Sequence, residues 1–172
     1  MKNQRGSVTI FTLAGIVIFF MMLIMTADIA RLYAVKVQGR HALNLALRAA
    51  CSEIDMEALA DPENPMVLIK APEATASFHD VLRKNLDLNS SMYPNPGSIC
   101  DGAVSVLYFQ VINDPPFNYS YGGYSEYVEG VGATGIIEMP VHLSDLAVAF
   151  GQPRTVSIRV HSTVLSSINP NI

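Results

Sequence analysis

Residues 8–27, VTIFTLAGIVIFFMMLIMTA, decide how the rest of this chain is read. None of these side chains is charged and none is proline. At about 1.5 Å per helical residue the stretch spans about 30 Å, the thickness of a bilayer's hydrocarbon core, so it reads as a membrane-crossing helix. The helical period does not stop at Ala27. Leu32, Val35, Gly39, Leu43, Ala46 and Ala50 recur at three- and four-residue steps and share one stripe, whereas Arg31, Gln38, His41 and Arg48 gather on another face. A single helix over 7–53 therefore has a transmembrane part, 8–27, and an amphipathic stem, 28–53. Such a rod is roughly 70 Å long, against a mean globular helix of about 11 residues. Its stem needs something to pack on, either its own head or neighbouring copies.

The chain has 172 residues, 50% of them apolar, which leaves room for this anchor and one domain of ordinary size over 54–172. The net charge of -4 is unevenly spread: residues 28–52 carry four basic side chains against one acid, and residues 53–172 carry five against fourteen. An acidic head lacks the basic patch that nucleic acid requires, so no nucleic-acid partner is expected. Lys2 and Arg5 precede the apolar run and Arg31, Lys36 and Arg40 follow it, so the flanking charges nearly balance. A short basic segment before an apolar one resembles an export signal, which puts the head outside the cytoplasmic membrane. The run is longer than an ordinary signal core, and the anchor is expected to stay. In an exported chain the two cysteines, Cys51 and Cys100, predict one disulfide, with two free buried thiols as the alternative.

Beyond the stem, residues 55–72 are acidic and broken by Pro62, Pro65 and Pro72, which predicts a linker with one short helix. Phe78, Val81, Leu82 and Leu86 fall at helical spacing, with Glu73 in the first turn and Arg83 and Lys84 in the last, predicting a helix over 74–86. Residues 88–101 form a loop dense in turn formers. The period then switches to two. Residues 103–113 are apolar on both faces and predict a central strand. Two more strands are expected at 133–142 and 155–165; in the latter Val156, Ile158, Val160, Ser162 and Val164 oppose Ser157, Arg159, His161 and Thr163. Between them, 143–150 suits a short helix or turn. Residues 114–132 read as one large loop carrying Phe117, Tyr119, Tyr121, Tyr124 and Tyr127. These aromatics suit an interface, and equally suit packing onto their own domain. The fold class is α+β: a long N-terminal membrane or filament-core helix packed on an antiparallel sheet of three or more strands.

Little in the sequence carries chemistry. His41, His79, His142 and His161 are scattered singly, and no nucleophile elbow, phosphate loop or zinc-protease motif occurs. Glu126 with Glu129, and Asp55 with Glu57, read as solvated loop charge. No catalytic centre, no metal site and no cofactor are expected, and the chain is read as something other than an enzyme.

The N-terminus carries the specific signal. Lys2, Arg5 and Gly6, followed by Ser7-Val8-Thr9-Ile10-Phe11 at the head of an apolar helix, resemble proteins cut by prepilin peptidase, whose basic leader ends in glycine. Asp28, Ala30 and Arg31 after the span, and the alanine-rich run 42–50, resemble the TadE/TadG-like pseudopilins of tight-adherence (Tad) pilus systems. The resemblance covers roughly the first 55 residues. It implies a leader over 1–6, processing between Gly6 and Ser7, and a pilin-like fold. The function it implies is that of a structural subunit of a type IV-like surface filament or its assembly machinery, serving adhesion or secretion. Its partners would be copies of itself, other pilin-like subunits, the membrane and a prepilin peptidase. It would be single-pass in the cytoplasmic membrane before assembly and part of a cell-surface filament afterwards. Many of these proteins carry glutamate at the fifth mature position, where this chain has Phe11. Thr9, Thr12 and Gly15, small or weakly polar positions around that site, and Phe11 itself, packing against a neighbour, are the candidates for helix-helix assembly. The alternative is a solitary single-pass membrane anchor whose head binds a partner.

Overall fold

The computed structural model describes residues 4–167, with side chains from Val8 onward. Met1–Asn3, within the expected leader, lie outside the described residues; Gly6 and Ser7 are described in their backbone alone. The fold is α+β. In chain order the elements are α1 (Gln4–Cys51), α2 (Met56–Leu59), α3 (Ala71–Leu86), β1 (Ser105–Ile112), β2 (Phe117–Tyr121), β3 (Tyr124–Val128), β4 (Gly132–His142), α4 (Asp145–Ala149) and β5 (Thr155–Leu165). The head has three layers. Helices α1 and α3 cover one face of a three-stranded antiparallel sheet of order β1-β4-β5, and the hairpin β2-β3 folds over the other.

Helix α1 is continuous over 48 residues. Its stem buries Val35, Gly39, Ala42, Leu43, Ala46, Leu47 and Ala50, with Leu32 half-buried, so the predicted stripe is the one used. Ala42 and Leu47 widen it because α1 packs along α3 as well as along β4 and β5. The helix runs antiparallel to β4: Arg31 donates to the carbonyl of His142 at one end, and Cys51 donates to that of Val164, the register partner of Ala133, at the other. Small residues set the spacing. At Gly39 an added Cβ would lie 2.6 Å from Sδ of Met139, which is itself fully buried.

Helix α3 contributes Ala74, Phe78, Leu82 and Leu86 to the same core, and Phe78 stacks on Phe109 of β1 with ring centroids 4.3 Å apart. Pro72 sits in its first turn, where a missing N–H leaves no bond unmade. Asp55 caps α2, accepting from the N–H groups of Glu57 and Ala58. Asn113 exchanges two hydrogen bonds with the backbone of Ile69, 2.9 and 3.0 Å, and ties the linker to the end of β1.

The structure corrects three readings. The central strand is β4, not β1, which lies at the sheet edge. Both faces of β1 are apolar because each is covered by a different layer. Val106, Phe109 and Val111 pack on the helix-side core and Tyr108 on the hairpin, with an irregularity between Val106 and Tyr108 shifting the alternation. Residues 114–132 are not one loop: Gly122 and Gly123, at φ 59° and 88°, make the two-residue turn of the β2-β3 hairpin.

The third correction concerns Cys51 and Cys100, which are free and buried. Cys51 sits at the Ala133 end of β4, whereas Cys100 adjoins Asp101, whose N–H donates to Pro140 at the other end. Seven positions of extended strand separate Ala133 from Pro140, about 23 Å. A disulfide needs Cα atoms within roughly 7 Å. Burial pushes both thiols up to about 11.

Candidate functional site

The most unusual surface is the first half of α1. From Val8 to Met25 its large apolar side chains, the half-buried Met21 aside, project into open space, Phe11 being 76% exposed and Ile10 70%. The helix is long and apolar enough to cross a membrane, and its apolar window buries nothing within the chain. Among the predicted assembly residues, Gly15 has no heavy atom within 4 Å of where a Cβ would stand, leaving room for another helix to approach. Thr12 is less available than its polarity suggests: its hydroxyl donates to the Val8 carbonyl at 2.9 Å, within the helix itself. Thr9 and Phe11 lie near it on the same uncovered segment.

Where the apolar run ends, the head is clamped to the helix. Asp28 accepts from the hydroxyl of Ser144 at 2.6 Å and from its N–H at 3.3 Å. Arg31, one turn on, pairs with Asp101 at 2.9 Å and donates to the His142 carbonyl at 3.3 Å. Asp101 in turn accepts from the His142 N–H at 2.8 Å. Asp28 and Arg31 are therefore residues that fix the head to the helix directly above the apolar segment. Two side chains spaced i, i+3 lie on one face and can hold one loop cluster together.

The aromatic segment packs largely onto its own domain. Tyr119 is buried and Phe117 half-buried; the Tyr108 ring stacks with those of Tyr119 and Tyr121, centroids 5.6 and 5.3 Å apart. Tyr124 stacks on the His161 ring at 5.0 Å. Tyr121 and Tyr127 remain exposed, 43% and 55%.

Beneath this hairpin lies a polar network that sequence reasoning missed. Glu126 accepts from Thr163 at 2.5 Å and from Tyr119 at 3.4 Å, the Thr163 oxygen lies within hydrogen-bond distance of the Thr134 hydroxyl at 2.9 Å, and Tyr119 hydrogen-bonds Nε2 of His161. Glu126 is thus half-buried and engaged, not solvated, and Asp55 likewise caps α2 and pairs with Lys70 at 3.7 Å. Period-two reading of β5 does put His161 and Thr163 on one face. Without the Gly-Gly turn recognised, nothing indicated that Tyr119 and Glu126 would cover that face. Burial holds the His161 imidazole below its ordinary pKa, a drop that Glu126 partly offsets and Arg40 reinforces. The network seals hairpin to sheet, each polar group meeting another. His41 and His142 are exposed, and His79 packs edge-on against Phe78. Among the described residues no three His, Cys, Asp or Glu side chains converge on a metal-sized site.

The geometry is thus a bare apolar helix bearing an α+β head clamped to it, and no protein-family model, curated protein or solved structure matches the chain.

Proposed function

We propose that this chain is a structural subunit, a pilin or pseudopilin, of a type IV-like filament of the Tad kind or of its assembly machinery. On this reading it is held in the cytoplasmic membrane by residues 8–27 with its head outside, is trimmed after Gly6 by a prepilin peptidase, and joins other subunits at the cell surface in adhesion or secretion. One observation carries the proposal: a single unbroken helix serves as the core of the head over its second half and leaves its first half bare. A lipid bilayer can cover that half, and so can a bundle of identical helices, and a pilin subunit passes from one to the other. Thr9, Phe11, Thr12 and Gly15 form the part of the bare segment nearest its start, where Gly15 leaves room for a neighbour's backbone.

The test is the protein purified from cells that also hold a prepilin peptidase. Intact mass is expected to correspond to a chain beginning at Ser7, and electron microscopy to show ordered fibres that Gly15→Leu abolishes without unfolding the head. A mature chain retaining Met1, or a protein strictly monomeric in detergent and in cells, refutes the filament reading. It leaves the solitary membrane-anchored binding module, whose exposed Tyr121 and Tyr127 offer contact area for a partner.

A further inference from the structure

The β4–β5 connection, residues 143–154, is held at a height on α1 that gives it a second role. Asp28 is the first charged residue after the apolar run, and it grips Ser144, the N-cap of α4. Arg31 fixes the adjoining end of β4 through the His142 carbonyl. The connection is closed at its base by the N–H of Leu143 donating to the carbonyl of Arg154 at 2.9 Å. One helical residue is about 1.5 Å of rise, so Ser144 is pinned within a few ångströms of the level at which residues 8–27 end.

The chemistry of this short segment suits that level. Phe150, at the end of α4, is 55% exposed, and Ile29 on α1, one residue past Asp28, is 66% exposed. Leu146 and Val148 of α4 are half-buried. The polar groups Ser144, Asp145 and Arg154 stand beside them, the last two paired at 3.2 Å and well exposed. Apolar side chains projecting among charged ones are the pattern of an element lying in the headgroup layer. The segment contacts α1 just past the bare helix, whose own apolar side chains are uncovered.

We propose that residues 143–154 form an interfacial foot that beds Phe150 in the boundary between phospholipid headgroups and acyl chains while the head stands above. The inference rests on reading residues 8–27 as the membrane span. It gives the membrane-bound subunit two points of contact, the span and the foot, and so fixes how the head tilts over the bilayer.

The chain has no tryptophan, so a single introduced one reports on its own surroundings. Three full-length variants, Phe150→Trp, Val17→Trp and Leu165→Trp, are reconstituted into phosphatidylcholine–phosphatidylglycerol vesicles. The acyl chains of the phosphatidylcholine carry bromine either near the headgroup or deep in the chain. Leu165 is 51% exposed and ends β5, ten positions beyond Thr155 or about 33 Å. Phe150→Trp is expected to lose most of its emission to the shallow bromines and little to the deep ones, Val17→Trp to be quenched most by the deep ones, and Leu165→Trp by neither. If Val17→Trp is quenched and Phe150→Trp is as unaffected as Leu165→Trp, the foot is overturned while the span stands. If Val17→Trp is also unquenched in correctly reconstituted protein, the membrane reading falls and the foot with it.

Discussion

The seat of α1 on the sheet can be tested by a substitution whose effect should change sign with its background. In Gly39→Ala two contributions oppose each other. Alanine in a helix interior is better than glycine by about 1 kcal/mol. Against this, the new Cβ would stand 2.6 Å from Sδ of Met139, the flexible end of a side chain at 0% exposure that must repack inside the core, and overpacking of that kind costs about 1–3 kcal/mol. The second contribution wins, and Gly39→Ala should lower stability by about 1 kcal/mol. Met139→Ala alone should be worse, about 2–5 kcal/mol, because it leaves a cavity under the helix. In that cavity the alanine at 39 finds space, its propensity gain is no longer opposed, and adding Gly39→Ala to Met139→Ala should raise stability by about 1 kcal/mol or more. Urea unfolding of the four detergent-solubilised proteins, followed by near-ultraviolet tyrosine dichroism, closes the cycle. If Gly39→Ala stabilises both backgrounds equally, α1 does not rest on Met139 and the packing of stem on head described above is wrong.

Two further outcomes follow from burial. Burial lowers the pKa of both His161 and His79, with Arg40 acting in the same sense on the first and Arg83 on the second. The unfolded chain therefore binds these protons first: stability is full above the ordinary imidazole value of about 6.5 and falls as pH drops below it. His161→Gln should flatten that decline in a urea midpoint series, and an unchanged slope would mean that His161 is not sealed beneath the hairpin. With Cys51 and Cys100 both raised to about 11, native protein at neutral pH should react with a thiol reagent far more slowly than unfolded protein, and a reductant should leave the melting temperature unmoved. A fall in melting temperature on reduction would reinstate the bridge.

The helices were legible because their periodicity is long and their burial one-sided. Leu32, Val35, Gly39, Leu43, Ala46 and Ala50 repeat over enough turns for the stripe to stand out, and Phe78, Leu82 and Leu86 do the same in α3. Strand β5 was legible because one of its faces meets only the core. Strand β1 misled for the opposite reason: an edge strand with covers on both faces has the composition of a central one, and composition does not record which neighbour supplies the cover. The hairpin was hidden by its tyrosines, which suit an interface as well as a packed layer, although Gly122-Gly123 between Tyr121 and Tyr124 is a two-residue turn signal in its own right. The cysteines show the limit of counting. Two in an exported chain suggest a pair, but α1 and the loop before β1 deliver them to opposite ends of β4, a long-range consequence of topology that no local spacing contains.

The clamp at Asp28 and Arg31 bears on the choice between the two functional readings. A binding module on a membrane tether gains from freedom between span and head, since reach increases the partners it can meet, and flexible glycine- or serine-rich linkers supply such freedom. Here residues 28–51 belong to the same unbroken helix as the span, and side chains on both sides of the exit, Ser144 and Asp101, hold the head to it. A head so fixed can transmit the orientation of its helix. When helices associate through the bare segment, each head must then take the rotation and height that its helix dictates, and repeated contacts between helices become repeated contacts between heads. Helical filaments require that kind of propagation, because an open assembly grows regularly only if every subunit presents the same surfaces at the same angle. A continuous helix with the head hydrogen-bonded to it at the exit is thus an arrangement that a filament subunit needs and a solitary tethered module does not.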